Sequence, residues 1–348
     1  MVCFCWSGFP QYAARCVGAF VKRTQEEVVV VATRPRVPIL GMERLCGCHV
    51  IWLEMGVSDI LEIDARAVSV AIVSGWFNPA FNRFASRVKK MGGRVIAMVD
   101  NNFNFSFGEV IKAIRFRAFL RQKYDGFLVP GKSAKRLLMF YGVSERDIGT
   151  NLYSADSTIF ANGMALSERL KRIVFVGQLC ERKNVLTLLD AFVLSGIYKE
   201  GWTLSYFGSG PLRDELISRI AKQKMGNSVE VNAFKQPEQL AEEYRRSCGF
   251  VLPSVEEHWG LVVHEAALSG CLLLLSDCVG AAADLATERN AILFNPTVVS
   301  SIAKAFVKMT TFDNLRLKEC QYESLRLARK ISIGGFVESL QSLLEGQI

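Results

Sequence analysis

Twice along this chain, short apolar runs alternate with helix-forming stretches at the spacing of strand–helix–strand units, and that alternation leaves few folds open. In the first half, Glu27–Thr33 (EVVVVAT), Val68–Ser74 (VSVAIVS), Arg94–Val99 (RVIAMV) and Gly126–Val129 read as strands. Gln11–Lys22, Pro79–Met91 and Ser133–Tyr141 read as helices around them. The second half repeats the pattern, with strands at Arg172–Val176, Thr203–Phe207, Val229–Val231, Gly249–Leu252 and Leu272–Leu275 and a helix over Asn184–Ser195. Runs this uniformly apolar belong in parallel sheets covered on both faces. The reading is α/β, with two doubly wound domains at residues 1–163 and 168–330, joined by the polar stretch Asn162–Glu168 (NGMALSE). The tail from Asn314 to Leu344 reads as helix, a break at Gly334–Gly335, then helix. Residues 331–348 are expected to form a C-terminal helix crossing back to the first domain.

A length of 348 residues suits two domains, and 50% hydrophobic against 22% charged residues supplies two cores and argues against global disorder. Ten cysteines are too dilute for a disulfide scaffold. The pairs Cys3/Cys5 and Cys46/Cys48 lack the spacing of a zinc site, so buried thiols in a reducing compartment are expected. With three histidines and no Asp-x-Asp pair, neither a metal nor another cofactor is expected. No run approaches the roughly 18 apolar residues of a spanning helix; Cys271–Ala283 is interrupted by Asp277. MVCFCWSGFPQY at the N-terminus has no basic leader, which predicts no signal peptide and a cytoplasmic protein, or one held at the inner face of a membrane.

Charge points the same way. Residues 1–165 carry 21 Lys and Arg against 13 Asp and Glu, whereas residues 166–348 carry 21 of each, so the whole excess of +8 sits in the first half. In Glu109–Tyr124 (EVIKAIRFRAFLRQKY), Lys112, Arg115, Arg117, Arg121 and Lys123 are interleaved with Ile111, Ile114, Phe116, Phe119 and Leu120. That pattern suits either a sheet-covering helix with a solvated face or a basic amphipathic helix at an anionic membrane or lipid-linked acceptor. The aromatic residues follow a helical period and form no stacking platform, so nucleic acid is not expected as a partner.

The densest chemistry lies in Val251–Gly270 (VLPSVEEHWGLVVHEAALSG). A strand ends near Pro253, and a helix is predicted from about Trp259 to Leu268. Glu257 and Glu265 are eight residues apart, about 12 Å and 800° along a helix, which puts both carboxylates near one face. The N–H groups of Gly260, Leu261 and Val262 open the helix toward an anion, and Gly260 leaves room for close approach. In Val176–Lys183 (VGQLCERK), Lys183 stands at a helix start, where a compact positive charge suits a phosphate. Phe207-Gly208-Ser209-Gly210-Pro211 follows another strand; Arg213 stands where a dinucleotide fingerprint needs its third glycine, so an oxidoreductase is not expected.

In this order, the motifs resemble the retaining glycosyltransferases of family 4, which have the GT-B architecture of two facing Rossmann-like domains with an interdomain cleft. The resemblance runs from about Tyr124 to Val307. It rests on Glu257 and Glu265 as the E-x7-E signature, with Gly260 and Leu261 inside it and Pro253-Ser254 before it. Gly177, Leu179 and Lys183 match the glycine-rich element, and Gly208–Pro211 the second loop. Tyr153–Phe160 looks like the segment crossing between domains. The resemblance implies a nucleotide-diphosphate-sugar donor in the second domain and a glycan or lipid-linked acceptor in the first. Glu265 would bind the ribose hydroxyls and Glu257 would face the sugar. Lys183, helped by Arg182, would neutralise the diphosphate, with Gly177, Gly208 and the amides of Gly260, Leu261 and Val262 around it. Phe234 would meet the base and His258 the donor. Ser7 and Gly8 would approach the diphosphate from the first domain. Gln178 stands where the family has an arginine. The N-terminal histidine many members place beside the acceptor has no counterpart, since His49 has no evident place there; Asp100, Asn101 and Asn102, after a strand end, are expected to serve instead. His264 is expected to pack or to support Glu265.

The expected activity is metal-independent, retaining transfer of a sugar to an acceptor hydroxyl, in assembly of lipopolysaccharide or another surface polysaccharide. A sugar-nucleotide epimerase, a glycan phosphorylase or a non-catalytic binding protein of the same fold are the alternatives.

Overall fold

The computed structural model describes residues 1–35, 41–54, 56–57, 59–60, 62–103, 105–161 and 169–346. Two compact units emerge: Met1–Ser154 with Ser332–Ile348, and Ala155–Ile331. The chain thus enters the second unit at Ala155, earlier than residue 163. The expected joint, Asn162–Glu168, lies outside the described residues.

The first unit is built on seven parallel strands: β1 (Val2–Trp6), β2 (Val28–Ala32), β3 (His49–Trp52), β4 (Val70–Ser74), β5 (Arg94–Met98), β6 (Gly126–Leu128) and β7 (Ile148–Gly149), in the order β3-β2-β1-β4-β5-β6-β7. The sequence reading misses β1, β3 and β7. The omission of β1 matters most, because VCFCW is buried at every position and lies at the centre of the sheet. Cys3 and Cys5 face one core of the unit, while Val2, Phe4 and Trp6 face the other. The final helix, Ile333–Glu345, packs Phe336, Val337, Leu340 and Leu343 into that second core, and Arg94 donates to the carbonyl of Leu343 at 2.7 Å. The expected break at Gly334–Gly335 is corrected: both glycines lie in the first turn of this helix, whose N–H at Gly335 is capped by Ser332 Oγ at 2.9 Å. Gly335 serves packing, since a Cβ there would fall 2.5 Å from Asn151 Nδ2.

The second unit has six parallel strands: β8 (Leu170–Val176), β9 (Thr203–Phe207), β10 (Val229–Asn232), β11 (Ser247–Leu252), β12 (Leu272–Ser276) and β13 (Ala291–Phe294), in the order β10-β9-β8-β11-β12-β13. Both sheets are therefore Rossmann-like, and in each the strand order reverses beside the first strand. The reversal falls between β1 and β4 in the first unit and between β8 and β11 in the second. At such a point the connections leave toward opposite faces, and a crevice opens at the carboxyl ends of the two strands.

The basic segment departs from its expected extent. Ser106 caps a helix over Phe107–Phe119, and a short 3₁₀ turn, Arg121–Lys123, follows. Three of its five cations are engaged by neighbours: Lys112 pairs with Glu109 at 2.6 Å, Arg117 donates to the carbonyls of Tyr141 and Phe140 at 2.9 Å, and Arg121 pairs with Asp147 at 2.6 Å. Ala113 and Phe116 face the core, yet Phe107, Ile111, Ile114 and Phe119 are left exposed.

Candidate functional site

The carboxyl end of β8 leads through Gly177 into a 3₁₀ turn at Glu181–Lys183 and then the helix Val185–Ser195. The carboxyl end of neighbouring β11 leads through Pro253 to Glu257 and the helix Leu261–Leu268. Lys183 and Glu257 meet here, and both are buried. Lys183 Nζ donates to Glu257 Oε2. Ser254 Oγ donates to the same oxygen at 3.2 Å, and Arg182 Nη1 lies 3.5 Å from it while donating to the carbonyl of Glu256 at 2.8 Å. A charge removed from water is tolerated only with such partners, so the acid and the base hold each other in place. The main chain of Glu257 is fixed too, its carbonyl accepting from the N–H of Gly280 at 3.0 Å.

Gly260 precedes the helix at φ 87°, which is costly for any other residue. A Cβ there would stand 3.1 Å from Glu257 Cγ, so its bareness also makes room for that side chain. The helix begins at Leu261 rather than Trp259 because this left-handed residue sets its first turn.

Glu265 lies farther along the same helix, half-buried, and accepts a hydrogen bond from Tyr244 Oη at 3.0 Å. Burial pushes its carboxyl up to about 7, with the Tyr244 hydroxyl acting the other way. His264 is fully buried, and burial lowers its imidazole to about 4. Its Nδ1 accepts from the N–H of Ala155 at 3.0 Å and its Nε2 meets the carbonyl of Ala328 at 2.9 Å. Those partners fix a neutral ring protonated at Nε2. The histidine thus fastens the unit where the chain enters and near where it leaves, and it does not support Glu265.

The glycine loops serve packing first. The N–H of Gly177 donates to the carbonyl of Phe207 at 3.1 Å and that of Gly208 to Asn232 at 3.1 Å. A Cβ on Gly208 would lie 1.9 Å from the carbonyl oxygen of Gly177, and one on Gly210 would lie 2.3 Å from that of Leu179. Leu261 and Val262 are half-buried in the first helical turn, Gln178 is exposed, and Phe234 is half-buried after β10. His258 points to Glu256, 3.3 Å away.

The first unit has its own cavity at the β1/β4 reversal, about 410 Å³, bordered by Ser7, Tyr12, Trp76, Asp100, Asn101 and Tyr153 among others. Asp100 accepts from Tyr153 Oη at 2.9 Å. Asn102 is not among the bordering residues. Gly8 sits at φ 65°, and its N–H donates to Thr33 Oγ1 at 2.7 Å; the N–H of Ser7 donates to Ser74 Oγ at 2.9 Å.

Tyr244, which holds Glu265, had no signal in the sequence because nothing in a spacing of 21 residues marks a contact made by folding. Trp259 was likewise overlooked: it is buried, and its indole N–H has no hydrogen-bond partner among the described residues.

Residues 158–323, which span most of the second unit, match the family model described as glycosyl transferases group 1. An uncharacterised glycosyltransferase of Methanocaldococcus jannaschii is 26% identical over 166 residues, 48% of this chain and 42% of the relative. The amylovoran biosynthesis glycosyltransferase AmsD of Erwinia amylovora is 30% identical over 113 residues, 32% of this chain and 31% of the relative. The chain thus spans less than half the length of either curated relative. Among solved structures, Anabaena HepE in complex with UDP and glucose is similar with a TM-score of 0.74 at 13% identity, over 99% of both chains. At that identity the likeness is one of fold, the GT-B type.

Proposed function

We propose that this protein is a retaining glycosyltransferase, moving a sugar from a nucleotide-diphosphate donor to a hydroxyl of a glycan or lipid-linked acceptor without a metal. The observation that carries the reading is the buried Lys183–Glu257 pair, steadied by Ser254 and Arg182, at the strand reversal of the unit that matches the group 1 family. As the bond from sugar to diphosphate lengthens, negative charge grows on the leaving group. Lys183, Arg182 and the amides opening the helix at Gly260, Leu261 and Val262 supply fixed positive potential there. Glu257 positions or electrostatically supports the sugar, and Glu265 accepts from the ribose hydroxyls. Asp100 and Asn101, in the cavity of the first unit, receive the acceptor. The named activity of AmsD supports a place in polysaccharide assembly. The exposed apolar residues of the helix Phe107–Phe119 support work at a membrane surface.

A panel of nucleotide-sugars is the first test, because a ligand that binds only the folded chain raises its melting temperature. One nucleotide-sugar should stabilise the protein, and Lys183→Ala should remove that effect. Glu257→Ala should keep nucleoside-diphosphate binding and lower transfer by about 10²–10³, the range seen when a group supporting a transition-state charge is removed. The anomeric configuration of the product, read by NMR, tests retention, and activity in EDTA tests the metal-free mechanism. If no nucleotide-sugar stabilises the chain, the reading fails.

A further inference from the structure

Tyr244 is the side chain that reaches Glu265. Its hydroxyl donates to Glu265 Oε2 at 3.0 Å, and the other carboxylate oxygen, Oε1, has no hydrogen-bond partner among the described residues. The phenol is held from all sides. It is fully buried on the helix Pro237–Arg245, and the rings of Phe160 and Phe250 meet it edge-on at centroid distances of 6.0 and 5.8 Å. Its oxygen also lies 3.5 Å from the carbonyl of Val262, in the first turn of the helix that carries Glu265. Burial, with the Glu265 charge beside it, raises the phenol well above its ordinary value, so the hydroxyl stays a donor. One fixed donor therefore grips one oxygen of a carboxylate whose remaining lone pairs are unclaimed.

The Glu265 carboxyl, pushed up to about 7 by burial and lowered by Tyr244, is part protonated at neutral pH, and its ionised form is the stronger acceptor. On the elements packed against this helix, Glu242 pairs with Arg245, Glu243 with Arg172, Glu257 with Lys183 and Glu323 with Arg326. Asp156, Asp277, Asp284, Cys271 and His264 stand on or beside the same elements. None of these acts on the Glu265 carboxyl; burial and the Tyr244 hydroxyl do.

We infer that Tyr244 is a positioning residue for the donor, anchoring Glu265 by Oε2 and leaving Oε1 to accept from the ribose. The inference rests on the glycosyl-transfer reading, in which Glu265 meets the ribose hydroxyls, and adds a proton to it. Those hydroxyls favour the carboxylate, so below pH 7 the carboxyl gives up its proton as the nucleotide binds, and binding tightens as pH rises through 7. Tyr244→Phe keeps the ring but removes the hydroxyl that lowers the carboxyl, which moves this midpoint upward.

Calorimetry on the full chain between pH 6 and 8 with UDP-glucose, GDP-mannose and ADP-glucose tests it, because a nucleotide-sugar has no phosphate that titrates in that range. The parent should bind one of them about tenfold more tightly at pH 8 than at pH 6, as a single group titrating near 7 requires. Tyr244→Phe should weaken binding by about fivefold at pH 7, and by more at pH 6 than at pH 8. Glu265→Gln should flatten the profile, and adding Tyr244→Phe to it should change affinity by less than about twofold, because the tyrosine acts through the carboxylate. A flat parent profile or an unmoved midpoint in Tyr244→Phe overturns the inference. So does an equal loss from that substitution in both backgrounds, which would make the tyrosine a packing residue alone. Should Tyr244→Phe fail to fold, the parent and Glu265→Gln profiles still decide. A parent that binds none of the three nucleotide-sugars overturns the donor reading as well, whereas binding with any of the other outcomes leaves that reading standing.

Discussion

Glu265 and His264 are neighbours on one helix, yet burial gives them opposite effects on stability as pH changes. The Glu265 carboxyl titrates near 7 in the folded chain, above its ordinary value of 4.5, so the folded state holds more protons between those values. Its contribution is intact below about pH 4.5 and is lost as pH rises through 7. His264 titrates near 4, below its ordinary 6.5; its contribution is intact above 6.5 and is lost as pH falls through 4. Between about pH 4.5 and 6.5 the two slopes oppose each other. Glu265→Gln removes only the first, so relative to the parent this variant should gain stability steadily from pH 4.5 to 7, read from urea midpoints. A constant difference across that range would mean the carboxylate is not desolvated. The residues involved illustrate what a sequence discloses. Glu265 and Glu257 stand out by spacing and Lys183 by its place after a strand. The contacts that hold them, from Tyr244 to Glu265 and from Ser254 to Glu257, are not encoded by spacing.

At the level of elements, the loops after β8 and β9 behave as one object. The bare backbone of Gly208 sits against the carbonyl of Gly177, and Gly210 against that of Leu179. The neighbouring atom is main chain in both cases, so a new methyl group has no flexible side chain to displace. Gly208→Ala should therefore move the loop that leads to Lys183, lowering stability by about 1–3 kcal/mol as other overpacked sites do and weakening nucleotide binding more than the exposed change Gln178→Ala does. Melting temperature with and without nucleoside diphosphate separates the two effects; a Gly208→Ala protein of normal stability and affinity would disprove the tight contact. These glycines were visible in the sequence as a phosphate-loop pattern. The structure shows why they are glycines: two chain segments meet where no Cβ fits. The missed strand β1 is as fully buried as β2, which the sequence did disclose, but VCFCW has one β-branched residue where β2 has four.

Over the whole molecule, the two units share one strand order but differ in charge and exposed surface. All the excess positive charge lies in residues 1–165, and the first unit exposes Phe105, Phe107, Ile111, Ile114 and Phe119 on or beside one helix. Among the described residues no helix is long and apolar enough to cross a membrane. The full chain should sediment with anionic phospholipid vesicles and poorly with neutral ones. Binding should fall several-fold as salt approaches 1 M, where charges are screened within about 3 Å, and in Ile114→Ser, Phe119→Ser. Equal binding to neutral vesicles would remove charge from the account. The sequence by itself determined the repeated strand–helix alternation, hence two parallel sheets, and it marked Lys183, Glu257 and Glu265, because apolar periodicity and motif spacing are local properties. Only the tertiary structure decided that Lys183 and Glu257, 74 residues apart, meet as a buried ion pair, and that His264 fastens the ends of its unit. Those facts depend on which strands become neighbours in a sheet, and a parallel sheet brings together segments that the chain keeps far apart.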